Sequence, residues 1–300
     1  PSVYGGPGMG AQKAAFQIAL VAETAALMRE DFGAGLLDLV KAFETVPHYI
    51  PVQVAIELGY PLVLLRLCLA SYRLKRSIGI EGVYSKLVVA TRGIIAGSGT
   101  AATELKLLLL PLMKLLDLQW AKSLIAKVHV DDLTLIVRGP IARVVEILTD
   151  VLDFVIDHLQ NYLKMQGWQE KSNVVSNKAA LALAIADRVV DKIVKAASHA
   201  TFLGADTVGG SKRCTYQLRT RLWNFKTKVS RFLALREAGA DVVQMVRAVA
   251  APSILYAVES IWIGCSALHA VRSNAATASA AKAGGKNIDL IWAAFGRYVR

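Results

Sequence analysis

Two short acidic motifs, 93 residues apart, carry the residue types in this chain that are best suited to chemistry. Asp38 lies at the end of an apolar run, and Asp131 and Asp132 lie between two apolar, β-prone runs. A hairpin more often turns on Asn-Gly or Asp-Gly, and two adjacent carboxylates repel each other unless a cation relieves the repulsion. Three converging carboxylates would form an oxygen-rich site suited to two Mg²⁺ ions, or to Mn²⁺ in their place. Such a pair of ions can activate an attacking oxygen and stabilise a leaving oxygen.

Each acidic motif also has a simpler interpretation. A single Asp at the end of a strand is usually a turn former or a helix cap, and an Asp-Asp pair is common in loops. The metal-site interpretation therefore depends on both motifs being brought to one place by the fold.

The elements that must position these residues follow from the hydrophobic pattern. Residues 34–39 are predicted to form a short buried strand, and residues 124–130 and 133–138 a tight hairpin with the acids at its tip. A Leu-rich stretch, residues 105–118, is predicted to be a buried core helix. The remaining predictions are a hairpin around Gly82 (77–83 and 85–91), an amphipathic helix (141–165), a strand (173–184), a short helix (187–197), a strand (200–204) and a linker or loose helix (275–285).

Composition limits the class of protein. The chain has 300 residues with 35 Lys and Arg against 23 Asp and Glu, a formal net charge of +12. This basic excess predicts a polyanionic partner, most often nucleic acid. No stretch reaches the roughly 18 uncharged apolar residues of a membrane span, and the three scattered cysteines are typical of reduced thiols in an intracellular protein.

The strongest charge run is the basic segment, residues 212–236, which contains no acid. Its apolar residues Leu218, Leu222, Phe225, Val229 and Phe232 follow a 4-3-4-3 spacing, which predicts one buried face of a helix. Charge runs are usually solvated helix faces, but ordinary surface helices mix signs. We therefore expect this helix to contact a phosphate backbone. Tyr216 and Trp223 are expected in the core. The basic residues are Lys212, Arg213, Arg219, Arg221, Lys226, Lys228, Arg231 and Arg236.

The order of these motifs resembles the palm of reverse transcriptases, with most similarity to non-LTR retrotransposon and group II intron enzymes. Residues 37–48 resemble the family motif LDLxKAFDxVPH, residues 92–98 resemble RGxxQGS, and residues 130–132 match the YxDD box, with His129 where an aromatic is usual. Phe202, Leu203 and Gly204 match the FLG element of the primer grip. Residues 255–262 look like the LYGxExW signature found beyond the palm.

The resemblance implies roles for single residues. Asp38 and Asp131 would bind metal, with Leu39 beside them and Asp132 adding charge. Phe43 would be the aromatic gate that selects deoxynucleotides, although a plain core aromatic is the alternative. The dNTP would contact Ala96, Gly97 and Lys178, and the nucleic acid would contact Arg92, the FLG element and the basic segment.

Three departures from the family pattern leave other functions open. Ala96 stands where the family has Gln, Met9 where it has Arg, and Glu44 where it has Asp. A catalytically degenerate, maturase-like scaffold that binds nucleic acid is therefore the main alternative. An RNA-dependent RNA polymerase is a third, but Phe43 argues against a ribose-admitting gate.

The predicted fold is an α/β (α+β) right-hand polymerase fragment with an antiparallel palm sheet, flanking helices and a helical thumb. Partial fingers are expected in residues 1–33, the palm in 34–208, with fingers-side helices and a hairpin near 48–91, and the thumb in 209–300. The expected partners are an RNA template, a DNA or RNA primer and dNTPs, without a membrane. An intracellular, nuclear location is expected. No oligomeric state follows from the sequence.

Overall fold

The computed structural model describes residues 3–6, 8–39, 41–95, 97–165, 172–210, 213–280, 287, 288 and 291. Ala96 and Lys212, both predicted site residues, lie outside this part of the chain. Contacts divide the chain into two compact units. Unit 1 comprises residues 1–14, 21–200 and 208–212, and unit 2 comprises residues 15–20, 201–207 and 213–300.

The described chain contains ten strands and twelve α-helices. The strands are β1 (Val3–Tyr4), β2 (Asp31–Asp38), β3 (Gly79–Ile80), β4 (Val83–Tyr84), β5 (Leu124–His129), β6 (Asp132–Gly139), β7 (Asn173–Ser176), β8 (Lys195–Ala197), β9 (His199–Phe202) and β10 (Ala205–Val208). The helices are α1 (Ala11–Leu27), α2 (Ala42–Thr45), α3 (Tyr49–Leu58), α4 (Leu62–Tyr72), α5 (Ala101–Trp120), α6 (Ile141–Asp157), α7 (Ala179–Arg188), α8 (Tyr216–Glu237), α9 (Val242–Met245), α10 (Ala251–Leu255), α11 (Val258–Ile261) and α12 (Cys265–Ser279).

A six-stranded sheet, in the order β1-β5-β6-β2-β7-β8, organises unit 1. The four inner strands pair antiparallel, whereas the edge pairs β1–β5 and β7–β8 are parallel. The sheet is therefore mixed, and the prediction of a purely antiparallel sheet was too simple. The α/β class of the prediction is confirmed.

Strand β2 lies near the centre of this sheet, and two of its glycines let a helix approach it closely. A Cβ on Gly33 would lie 2.9 Å from Leu148 of α6, and one on Gly35 would lie 2.8 Å from Leu152. Glycine within a strand is otherwise unfavourable, so these positions mark a tight helix–sheet contact. The buried apolar face of α6 thus fixes the strand that ends at Asp38.

Helix α5 is buried as predicted: Leu105, Leu108, Leu112 and Leu116 have no exposed surface, and the helix continues through Pro111. The predicted hairpin around Gly82 is present but much shorter, with only β3 and β4 and the isolated bridge between Arg76 and Val88. The three cysteines are unbridged.

Unit 2 is helical apart from its short strand segments. Its main apolar core joins α8, α9, α10 and α12 with a π-helical turn, Val246–Ala250. Residues 275–279, predicted as a linker or loose helix, end α12 with Ala275, Ala276 and Ala278 buried. The helical run Val242–Ile261 is apolar and long enough to cross a membrane, but core helices pass the same test, so this is weak evidence for a span.

Candidate active site

The acidic motifs meet at one end of the central sheet. Asp38, the last residue of β2, pairs directly with Asp132, the first residue of β6. The backbone amide of Leu39 donates to the carbonyl oxygen of Asp131, at 3.1 Å. Directly opposed residues of an antiparallel pair project from the same face of the sheet. The structure therefore sets Asp38 opposite Asp132, with Asp131 next to Asp132 in the chain, although the two motifs are 93 residues apart in the sequence.

The turn that carries Asp131 has a strained backbone. Val130 adopts φ of +59°, in the left-handed region that β-branched residues rarely enter. Its side chain packs against the main core of unit 1, and an added Cβ on Gly5 would lie 3.4 Å from it. Strained residues of this kind persist where surrounding contacts hold them, and they cluster at functional sites.

Two substitutions at Val130 isolate this strain. Val130→Gly and Val130→Ala both remove the side-chain packing, but only alanine keeps a Cβ in the left-handed region. We expect the glycine variant to have a free energy of unfolding about 1 kcal/mol higher than the alanine variant. Urea unfolding measures the difference. Alanine is usually the more stabilising of the two residues at other positions. A Val130→Ala variant more stable than Val130→Gly would therefore contradict the strain.

The carboxylates form a donor set that is chemically suited to Mg²⁺ or Mn²⁺. Asp38 and Asp132 face each other in register, and like charges directly opposed across two strands destabilise a sheet. A hard divalent cation between oxygens relieves that repulsion. Among the described residues, no group of three or more His, Cys, Asp or Glu side chains is arranged to hold an ion. The fit therefore rests on the Asp38–Asp132 pair with Asp131 beside it.

The segment at Gly93 and Ile94 is hydrogen-bonded to the chain that follows β2. The amide of Ile94 donates to the carbonyl of Phe43, at 2.5 Å, and the amide of Gly93 donates to the carbonyl of Val46, at 2.8 Å. Phe43 is half-buried and packs against the core of unit 1, while Arg92 and Gly97 are exposed. Phe43 thus combines a core contact with a surface that a ligand can reach.

A buried histidine supports the same segment, and the sequence argument assigned it no role. His48 Nε2 lies 2.8 Å from the carbonyl oxygen of Gly93, and Arg73 Nε lies 3.4 Å from His48 Nδ1. Because arginine only donates, Nδ1 is the acceptor and Nε2 carries the proton given to Gly93. The family motif at residues 37–48 includes this position and was the only sequence signal for it.

A second buried polar pair lies beneath this segment. The Tyr72 hydroxyl donates to Glu104 Oε2, at 2.9 Å, and both side chains are almost fully buried. Burial, the largest effect, raises the pKa of Tyr72 above its usual value of 10, against the opposing effect of hydrogen bonds with Ser98 and Thr100. The phenol therefore remains a proton donor, and it anchors α4 to the first turn of α5.

The structure does not bring Lys178 to the carboxylates. Its ammonium lies 2.7 Å from Asp31 Oδ1, at the opposite end of β2. Asp31 and Asp38 are seven residue steps apart along the strand, a distance of about 24 Å. Strand β7 enters the sheet at the acidic end, where Asn173 pairs with Leu36. Lys178 follows the strand and so lies beyond its far end, which the sequence motif alone could not reveal.

A buried lysine lies one row behind the carboxylates on the same face. In the sheet, Lys127 of β5 is opposite Thr134 of β6, and Thr134 is opposite Leu36 of β2. The ammonium of Lys127 lies 5.9 Å from the centre of the Tyr4 ring. Burial lowers the pKa of Lys127 from its usual 10.5 to about 8. The side chain keeps its charge at neutral pH at a cost in folding free energy.

Lys127→Met should therefore stabilise the protein at pH 7 by about 2 kcal/mol. The folded-state pKa lies below the unfolded-state value, so the cost is fully present below pH 8. It is relieved as the pH rises from about 8 to 10.5, because the folded state then loses its proton first. Urea unfolding between pH 7 and 10 should show stability rising with pH in the wild type and a flatter profile in the variant. A variant less stable at pH 7 would contradict this.

Residues 216–236 of the basic segment lie in α8, with the predicted apolar face. Leu218 and Phe225 are buried, and Leu222, Val229 and Phe232 are half-buried. The cations divide into two groups. Arg221 and Arg236 donate to backbone carbonyls within unit 2, whereas the exposed ones are Arg213, Arg219, Lys226, Lys228 and Arg231.

Arg221 is a structural residue of the turn that carries Leu203 and Gly204. Its guanidinium donates to the carbonyls of Gly204 and Tyr256 and lies over the Tyr256 ring. The Tyr256 hydroxyl donates to the carbonyl of Leu203, at 2.7 Å. Phe202 is buried. The predicted nucleic-acid contact by Arg221 stays a prediction, and in the structure these internal carbonyls accept hydrogen bonds from its guanidinium.

Tyr216 and Trp223 are also placed differently from the prediction. Both were expected in the core, and both are largely exposed, at 61% and 63%. The apolar spacing of the helix is satisfied by other residues, which leaves these rings on a different face.

Comparisons with known protein families and with curated proteins gave no match. Among solved structures, telomerase from Candida tropicalis, in complex with a TWJ fragment of telomeric RNA, is similar with a TM-score of 0.48 and 11% identity, over 99% of this chain and 53% of that one. Telomerase from Candida albicans, in a complex of the same kind, is similar with a TM-score of 0.46 and 10% identity, over 98% of this chain and 52% of that one. The chain spans about half the length of these solved structures.

Proposed function

We propose that this chain is the catalytic part of a template-directed nucleotide polymerase of the reverse transcriptase type. The observation that carries the proposal is the register of β2 and β6, which sets Asp38 opposite Asp132 and beside the strained turn at Asp131. A cation-dependent reaction would use acidic side chains that the register sets side by side at the ends of two strands.

The proposed reaction is addition of dNTPs to a primer 3′-OH, with release of pyrophosphate. Two Mg²⁺ ions, when bound, would supply the activation of the attacking oxygen and the charge stabilisation of the leaving group. Asp38 and Asp131 would hold them, with Leu39 at the strand end and Asp132 adding negative charge. Phe43 would crowd a ribose 2′ position. The exposed residue Gly97 would contact the dNTP, and the exposed residue Arg92 would contact the nucleic acid.

In this proposal, three segments of the chain correspond to the fingers, palm and thumb of a right-hand polymerase. Residues 1–33 would be partial fingers, residues 34–208 the palm and residues 209–300 the thumb. The partners would be an RNA template, a DNA or RNA primer and dNTPs, as in a non-LTR or group II intron element. A nuclear location inside the cell would suit such an element.

A non-catalytic scaffold that binds nucleic acid is the second candidate, and Met9 favours it. Gly5 and Met9 are joined by a 2.6 Å backbone hydrogen bond, and Gly5 lies next to the acidic turn. Met9 offers no charge where the related enzymes have an arginine. A scaffold would keep its duplex affinity and would not extend a primer.

Primer extension on an annealed RNA template, with dNTPs and Mg²⁺, tests the proposal. Asp131→Asn is the matched control, since it removes one charge and keeps the shape of the side chain. We expect extension by the wild type and a loss of at least about 100-fold in the variant. Equal extension by the two proteins would overturn the assignment of Asp131. Absence of extension by both, with salt-sensitive duplex binding, would favour the scaffold.

A further inference from the structure

One face of α8 alternates aromatic and cationic side chains. Tyr216, Arg219, Trp223 and Lys226 follow a 3-4-3 spacing, which places them in one row along the helix. All four are exposed. The ammonium of Lys226 lies 5.9 Å from the centre of the Trp223 ring, so the row is also a connected surface. We call these four residues the α8 stripe.

The stripe is not the packing face of the helix. Leu218 and Phe225, the buried residues of α8, are two positions beyond Tyr216 and Trp223. Two positions correspond to a rotation of about 200° around the helix. The helix therefore already buries one side in unit 2, and two large rings remain on the opposite side without a role in that packing.

The charge around the stripe selects an anionic ligand. The described part of α8 and the residues before it, residues 213–236, contain seven cations and no acid. Arg221 and Arg236 bind internal carbonyls. The exposed cations therefore create a positive surface in which the two rings lie.

A ligand that suits this surface must carry both phosphates and accessible flat rings. Duplex nucleic acid hides its base faces in the stack, whereas unpaired bases expose them to aromatic side chains. We propose that the α8 stripe binds single-stranded nucleic acid, with bases stacked on Tyr216 and Trp223 and phosphates held by Arg219 and Lys226. The two rings are seven residues apart, about 10 Å along the helix axis, which spaces them for two bases separated by a short step of backbone.

The inference rests on the proposed function only in taking nucleic acid as the partner. Base stacking on the stripe requires no metal site and no polymerisation. Primer extension and strand binding are separate measurements, so the failure of one leaves the other interpretable.

The test measures binding of the full chain to two oligonucleotides of equal length and charge. One is a 12-nucleotide single strand of uridines, and the other is a matched strand of abasic sites. We expect the wild type to bind the strand with bases at least about tenfold more tightly, since stacking on one ring contributes roughly 5- to 150-fold. Trp223→Ala and Tyr216→Ala should each reduce this preference, and Trp223→Phe should restore part of it.

The charged members of the stripe are tested by salt dependence. Arg219→Gln and Lys226→Gln should each lower the slope of log affinity against log salt by about 0.7, without changing the preference for bases. Lys114→Gln is the matched control, because Lys114 is an exposed cation on α5, outside the basic segment. For the single strand, the slope of log affinity against log salt should be the same in this control variant as in the wild type.

Three results would overturn the inference. Equal wild-type affinity for the two strands would mean phosphate contact only. Unchanged base preference in both aromatic variants, with circular dichroism showing a retained fold, would place the bases elsewhere. Tighter binding of a duplex than of the uridine strand, with no effect of Trp223→Ala on either, would assign this face to a duplex.

Discussion

Replacing Asp38 by Asn is expected to lower primer extension by roughly 1,000-fold while making the metal-free protein slightly more stable. The loss corresponds to about 4 kcal/mol of transition-state stabilisation. The expected gain in the stability of the metal-free protein follows from the strand register, since Asp38 and Asp132 are directly opposed. Removing one charge from such a pair relieves a repulsion of about 0.5 kcal/mol. Activity and stability should therefore change in opposite directions.

Three measurements check this expectation. Single-turnover primer extension gives the rate, urea unfolding in EDTA gives the metal-free stability, and thermal unfolding with added Mg²⁺ gives the binding linkage. Mg²⁺ should raise the Tm of the wild type and have a smaller effect on the variant. Asp117→Asn, at an exposed position on α5, is the matched control and should change none of the three. A metal-free Asp38→Asn protein that is clearly less stable would show that the carboxylate is structural.

Gly209→Ala is expected to destabilise the protein by more than about 3 kcal/mol. An added Cβ at this position would overlap the carbonyl carbon of Ser176 and the amide nitrogen of Asn177. Backbone atoms cannot rotate away as a side chain can, so the chain after β10 would have to move off the end of β7. The contacts of Asn177 with Phe32 and Glu30 would be disturbed with it.

Urea unfolding of Gly209→Ala checks the size of this effect. Gly99→Ala is the control, since nothing lies within 4 Å of its added Cβ and its φ is outside the left-handed region. The control should be as stable as the wild type or slightly more so. Two variants of equal stability would contradict the close contact at Gly209.

The acidic centre of the fold was predictable because its sequence signals are local. The apolar run before Asp38 became β2, and the two runs around Asp131 became β5 and β6 within two residues of the predicted bounds. That the two motifs meet was an inference from the family resemblance, and the strand register now gives it a physical basis. The metal and nucleotide roles of these residues stay predictions.

The predictions failed where a local pattern fits two structures. Residues 173–184 were predicted to form one strand, but only Asn173–Ser176 does, and Ala179–Arg188 forms α7. The run of Ala and Leu after Asn177 has high helix propensity, and a short apolar run does not separate a strand from a helix. The internal contacts of Arg221 could not be predicted for a different reason. Its partners are carbonyls distant in sequence, and no pattern in a basic segment shows which cations turn inward.

The central position of β2 also sets the order in which the protein can fold. The β5–β6 hairpin is local and should form within microseconds, carrying Asp131 and Asp132 in its turn. Strand β2 can join it only after a loop of roughly a hundred residues closes, and β7 must then come from farther along the chain. Asp38 should therefore reach its partners in a late, slow step of folding. A probe placed near Asp38 would report that step, whereas one in the hairpin would report only the early one.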